Sequence, residues 1–347
     1  MYSALLINEP FGDPAVLIKS KYRHESVLFD LGDLHKLAPR EILKIGHIFV
    51  SHTHVDHFIG FDTILRICLG RNRRIRLFGP PGFLFQVESK LHSYTWNLVE
   101  NYSNDFELLV TEIHPSHRMS RLYRCRAAFR GEPVTEEKIS SNQPLVEETF
   151  FSIRCIFLDH LIPCLAFRFE ERSRINIMKN ALETLGLPTG CWLMDLKEAI
   201  LQGRPESCPI RISDKSSGDR PANRVLPLGF LKEKVVRITR GQRICYVTDA
   251  IYSPENIKRI LLIADSADHL LIEATFLHED HEKAAAKYHL TARQAGLLAR
   301  QASVKRFSLF HFSPKYKGAA AALQHEAKEA FERPLSDPLS PFDAATR

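Results

Sequence analysis

The stretch Ile48-Phe49-Val50-Ser51-His52-Thr53-His54-Val55-Asp56-His57 constrains this chain more than any other. A short run of β-branched and aromatic residues reads as a buried strand, and it ends directly in three histidines and an aspartate. On extended backbone, residues i and i+2 point to the same side. His52 and His54 can therefore converge on one point, Asp56 continues the series, and His57 falls where the chain turns into a following helix. A histidine-rich loop that merely caps a helix is the simpler alternative, and a lone histidine would favour it. Four ligand-type side chains at one strand-to-helix junction favour a metal ion. Neutral imidazoles with a carboxylate suit zinc best, with manganese or iron also possible.

The rest of the chain must supply a scaffold for such a site. With 347 residues, 44% of them hydrophobic and 25% charged, the sequence can bury a large core without disulfide staples. Its seven cysteines form no C-x-x-C pair, which suits reduced thiols in the cytoplasm. The opening Met1–Asp13 lacks the basic and apolar regions of a secretory signal, and no apolar run is long enough for a membrane span. The net charge of +6 permits an anionic substrate. It concentrates in Arg66, Arg71, Arg73, Arg74 and Arg76 and in Arg118, Arg121, Arg124, Arg126 and Arg130. Each stretch reads first as a solvated face and second as a phosphate-contacting surface.

Strand-like runs come in two groups, each followed by helical patterns. The first group spans residues 15 to 129, with helices over 61–69 and 83–99. The second resumes at 150 and continues through 235–238, 244–248, 270–273 and 307–310, with helices over 254–264, 279–287, 292–302 and 319–331. This is compatible with two sheets packed face to face and covered by helices, a mixed α/β (α+β) layering. Residues 175–202 read as helical with an interruption, 203–227 as a peripheral loop-rich insertion, and 335–347 as a flexible tail. The expectation is a single domain over 1–334.

Four local residues cannot hold two metals and leave a position for water. Further ligand types sit at strand ends: His160 in FLDHLIPC, Asp249 in YVTDA and His311 in LFHFSP. The sequence Leu277-His278-Glu279-Asp280-His281-Glu282 also looks metal-rich, but reads as the polar first turn of an exposed helix.

The ordered set His52-x-His54-x-Asp56-His57, His160, Asp249 and His311 resembles the metallo-β-lactamase superfamily, and Asp30 matches its early aspartate. Glu273-Ala274-Thr275 and His289-x-Thr291, with FLDHLIPCLAFRFEE and LGLPTG, are similar to the ribonuclease Z branch, the tRNA 3′-end endonucleases. The resemblance implies a four-layer αβ/βα sandwich with two zinc ions at one edge. His52, His54 and His160 would hold one ion, and Asp56, His57 and His311 the other. Asp249 would bridge them and Asp30 would support the site. It also implies Asp56 as the residue acting on water, Glu273 and His289 as a pair acting on the scissile phosphate or leaving oxygen, and a possible homodimer.

Three departures stand beside it. Ile272 replaces the first histidine of the family's His-Glu-Ala-Thr motif, Phe11-Gly12-Asp13-Pro14 replaces its opening glycine-rich turn, and no long Gly/Pro-rich arm lies between His57 and His160. The implied function is a dinuclear-metal hydrolase, an endoribonuclease acting on RNA such as tRNA 3′ ends. Two alternatives are a metallohydrolase of a small phosphodiester, ester or thioester, and a non-catalytic, metal-stabilised relative that binds RNA or a partner.

Overall fold

A computed structural model of the chain describes residues 2–20, 23–140, 143–213 and 224–333; the expected tail at 335–347 lies outside them. The chain falls into two compact units.

The larger unit comprises Met1–Leu145, Ile153–Phe169 and Arg243–Arg347. Its first sheet runs in sequence order through Tyr2–Leu6, Val16–Ser20, Ser26–Phe29, Ile45–Phe49, Arg73–Gly79, Phe106–Ile113, His117–Arg124 and Thr135–Lys138. The four strands from Ser26–Phe29 to Phe106–Ile113 pair in parallel. Its second sheet orders the strands Phe307–Phe310, His269–Glu273, Arg243–Val247, Pro163–Glu171 and Phe151–Asp159, the first three in parallel.

The parallel strands Ser26–Phe29 and Ile45–Phe49 are buried along their whole length because both faces of the sheet are covered. Ile45 and Ile48 join an outer core with Phe61, Ile64 and Leu65 of the helix Phe61–Cys68 and Phe83, Val87 and Leu91 of the helix Phe83–His92. Phe49 points the other way, into an aromatic layer between the sheets. There Phe29 stacks on Phe167 at 5.3 Å and on Tyr246 at 5.7 Å, and Tyr246 stacks on Phe310 at 5.2 Å. The outer face of the second sheet packs on the helices Pro254–Ala264, Ala292–Gln301 and Ala320–Glu332 through Ile260, Ile263, Ala295, Leu298, Leu323 and Ala327. The two-sheet expectation holds, and the architecture is mixed α/β.

The smaller unit comprises Val146–Ser152 and Glu170–Gln242. The residues read as one interrupted helix over 175–202 divide into the strand Arg174–Ile177 and the helices Lys179–Thr184 and Trp192–Leu201. The segment expected to be a loop-rich insertion contains two paired strands, Pro209–Ile212 with Arg224–Pro227. Ile210 and Ile212 are buried while Pro209 and Arg211 face solvent, a period-2 pattern too short to stand out among prolines and arginines. Leu228, Leu231 and Val235 form the buried face of a helix, Leu228–Val235, where the sequence pattern predicts none.

Helices Ala292–Gln301 and Ala320–Glu332 approach so closely that a Cβ on Gly296 would run into the carbonyl oxygen of Ala327. Gly296→Ala is therefore expected to lower the unfolding free energy by about 1–3 kcal/mol, the usual cost of overpacking, measured by urea denaturation.

Candidate metal centre

The candidate residues gather where strands end. Asp30 follows Ser26–Phe29, His52 lies just past Ile45–Phe49, and His160 follows Phe151–Asp159. Asp249 lies just past Arg243–Val247, Glu273 closes His269–Glu273, and His311 follows Phe307–Phe310. Asp30 and His311 leave their strands in the left-handed region, with φ of 58° and 62°, so the chain turns off the sheet at once. Asp56 does not continue an extended series as expected. A one-turn helix, Val55–Phe58, begins after His54 and carries both Asp56 and His57. The convergence survives because His54 is still extended, and its ring lies 4.4 Å from that of His52.

The ligand-type atoms form three overlapping groups: His52, His54, His160 and Asp249; Asp56, His57 and His311; and Asp249, Glu273, His289 and His311. Asp249 sits among them. Its Oδ2 lies 3.6 Å from His52 Nε2, 3.4 Å from His57 Nε2 and 3.5 Å from His160 Nε2, and its Oδ1 lies 3.1 Å from His311 Nδ1. His311 Nε2 in turn lies 3.1 Å from Asp56 Oδ2. His52, His57, His160 and Asp249 are buried, whereas His54 is exposed and Asp56, His289 and His311 are half-buried. The cluster is thus open on one side.

Hydrogen bonds behind the cluster assign the imidazole tautomers. His57 donates from Nδ1 to Asp30 Oδ2 (2.7 Å), and His160 donates from Nδ1 to the Tyr288 carbonyl (2.7 Å). Ser51 Oγ donates to Asp30 Oδ2 (2.8 Å), so it accepts from His52 Nδ1 (3.0 Å). In their neutral forms all three rings then present a bare Nε2 to the same carboxylate oxygen. The buried Nε2 atoms of His52 and His57 have no hydrogen-bond partner. Lone pairs facing a buried carboxylate without a proton between them are repulsive unless a cation lies there, so these residues fit a metal ion.

The electrostatics agree. Burial, with His57 nearby, pushes His52 down to about 2, which keeps it neutral. Burial alone would raise Asp249, but His311 and His57 outweigh it and hold it well below the carboxylate range. Burial alone would lower His57, but Asp249 and Asp30 draw it well above its ordinary value, so without a cation in place a second proton, on Nε2, would take its position. The cluster therefore attracts positive charge.

Beside it, Glu273 is fully buried and accepts from Ala250 N–H (2.7 Å), Thr275 Oγ (2.6 Å) and His289 Nδ1 (3.0 Å). The ring of His289 lies 5.0 Å from that of His160 and 5.3 Å from that of His311. Sequence reasoning missed four supporting groups. Ser51 and Tyr246 donate to Asp30, Thr248 donates to Asp249 (2.8 Å), and the Tyr288 carbonyl holds His160. The one signal that could have found any of them is position: Ser51 and Thr248 each stand one residue before a ligand candidate.

Several other sequence features remain apart. Of the arginines in the two basic stretches, Arg74 pairs with Glu107, Arg118 with Glu137, Arg121 with Glu88, and Arg124 with Glu107 and Glu132. These pairs favour the solvated-face reading. His278 and His281 join no ligand group among the described residues, and Asp280 pairs with Lys315.

Asp30→Ala removes the acceptor that orients His57, and is expected to weaken zinc binding about 10–100-fold. Asp249→Ala should weaken it further, because its carboxylate faces both histidine groups. Competition with a chromogenic chelator measures both.

No family model matches the chain. A protein named ribonuclease Z from Deinococcus radiodurans is 26% identical over 324 residues, covering 92% of each chain. Another of that name from Crocosphaera subtropica is 28% identical over 326 residues, covering 91% of this chain and 86% of its own. Among solved structures, the metallo-β-lactamase fold protein YhfI from Bacillus subtilis superposes with a TM-score of 0.52 at 16% identity, over 92% of this chain and 86% of the other. The chain accordingly has the metallo-β-lactamase fold and is a homologue of the proteins named ribonuclease Z.

Proposed function

We propose that the chain is a metal-dependent endoribonuclease that cleaves RNA, with precursor tRNA 3′ ends as substrate. The observation that carries the reading is the set of imidazole Nε2 atoms converging on Asp249, beside the half-buried His289 held by the buried Glu273. Similarity to proteins named ribonuclease Z over about nine-tenths of the chain supports the substrate.

His52, His54 and His160 would hold one ion, Asp56, His57 and His311 a second, and Asp249 would face both; zinc suits these donors best, and manganese or iron would also fit. When bound, the metal supplies Lewis acidity toward a phosphoryl oxygen and makes a water acidic enough to be a nucleophile at neutral pH. Asp56, half-buried at the open side, would orient the attacking water and accept its proton. Burial by itself would raise Asp56, but the His311 hydrogen bond and the His57 charge outweigh it, so its carboxylate stays ionised. Water attacks phosphorus as the bond to the 3′ oxygen breaks. His289, held through Nδ1 by Glu273, gives its other ring proton to that oxygen. The products are a 3′-hydroxyl and a 5′-phosphate.

Burial alone would lower His289, but Glu273 and Asp249 outweigh it and raise it to about 9. It therefore carries the proton a general acid needs at neutral pH. Because the acid form is the active one, turnover is lost as pH rises through this value.

A cytoplasmic location belongs to the same proposal, supported by seven free cysteines. Among the described residues, no helix is long and apolar enough to cross a membrane. The homodimer implied by the resemblance is checked by sedimentation equilibrium. The ion pairing of the arginine stretches gives some weight to a small phosphodiester as substrate instead. Parallel assays on a precursor tRNA and a small phosphodiester separate the two; a zinc-loaded chain that cuts neither sinks the enzyme reading. His289→Ala should lower turnover of precursor tRNA by roughly 10²-fold or more while keeping its metal content. It should also remove an alkaline limb lying at or below about pH 9.

A further inference from the structure

We propose that Tyr288 is a positioning residue that acts through its backbone, setting the tautomer of His160 and the aim of His289 from one corner of the chain. The helix His281–Ala286 stops at Lys287, and Tyr288 follows with φ of 57°. Tyr288 N–H donates to the Ala285 carbonyl (3.1 Å) and His289 N–H to the Ala284 carbonyl (2.9 Å). This is the Schellman pattern of helix termination, whose left-handed position is usually glycine because a Cβ there is strained. A tyrosine in that conformation is uncommon, and this one stands between two site residues.

The turn has two consequences. It presents the Tyr288 carbonyl to His160 Nδ1 at 2.7 Å, across 128 residues of sequence. That bond fixes the His160 proton on Nδ1 and leaves Nε2 facing Asp249 Oδ2 at 3.5 Å. It also starts the next residue, His289, in the direction that brings its Nδ1 within 3.0 Å of Glu273 Oε2. A metal-ligand candidate and the proposed acid are therefore held by one backbone conformation. The His160 half needs only the metal site, whereas the His289 half rests on the proposed phosphodiester cleavage.

The test compares Tyr288→Val with Tyr288→Gly and Tyr288→Asn in the full chain. Valine is β-branched and poorly tolerates φ above zero, while glycine and asparagine enter that region readily. Zinc affinity is read by chelator competition, and the His160 tautomer by long-range proton–nitrogen NMR of metal-free protein. Turnover of precursor tRNA is measured at saturating zinc. The valine variant should bind zinc about tenfold more weakly, the loss typical of removing an outer partner of a ligand. It should also lower kcat with KM unchanged. Glycine and asparagine should recover both.

Equal losses in all three variants would assign the effect to the tyrosine side chain and overturn the proposal. So would wild-type zinc affinity in the valine variant. If the valine variant melts before it can be titrated, the wild-type spectrum decides: His160 carrying its proton on Nε2 overturns the inference, and on Nδ1 supports it. A zinc series that behaves as expected in a chain that cleaves no phosphodiester upholds the His160 half and removes the functional reading instead.

Discussion

The Asp30 carboxylate is the anchor on which the site depends. It has no exposed surface, and a buried carboxylate without partners would be costly. Here it accepts from Ser51 N–H (2.6 Å), Ser51 Oγ, His57 Nδ1 and Tyr246 OH (2.7 Å). Ser51 and His57 belong to the first sheet's strand-to-helix junction, and Tyr246 to the second sheet. One charge therefore ties the two sheets together at their common edge and orients a ligand candidate as it does so. The left-handed conformation of Asp30 lets the chain leave its strand while the carboxylate stays under the site.

The second constraint is the arrangement of protons around Asp249. With each buried Nδ1 proton committed to a fixed acceptor or to Ser51, the neutral rings have none on Nε2, and the carboxylate is neutralised only by a cation or by the second proton that His57 takes up. The concentrated negative charge and aligned lone pairs form a cavity for a cation, prepared by groups that never touch it. Such preorganisation is expensive in a metal-free chain, and the aromatic layer of Phe29, Phe167, Tyr246 and Phe310 supplies the rigid packing that maintains it. The opposite side is different in character: His54, Asp56, His289 and His311 reach solvent, which is where a substrate and a water can enter.

Much of this was legible along the chain. The alternation of an apolar strand with His52, His54, Asp56 and His57 identified the metal chemistry, because ligand chemistry is carried by residue type and local spacing. His160, Asp249 and His311 were recognisable as strand-end residues, and Glu273 and His289 by likeness to a family motif. The smaller unit was read poorly. The strands Arg174–Ile177, Pro209–Ile212, Arg224–Pro227 and Val236–Thr239 are each four residues long, so their periodicity is lost among prolines and charges. The pairing of the two arginine stretches was not legible because their acidic partners, Glu88, Glu107, Glu132 and Glu137, are distant or scattered in sequence.

By itself, then, the sequence determined the inventory of ligand-type residues, the two-group succession of strands and helices, and the junction where four of those residues lie, since these follow from residue chemistry and short-range periodicity. Tertiary structure alone decided that Tyr246 meets Asp30 across 216 residues and that the Tyr288 carbonyl meets His160 across 128. It also decided which imidazole nitrogen is left bare. Tautomers and buried acceptors depend on what packs against each ring, and that is set only when strands from both sheets come together at one edge.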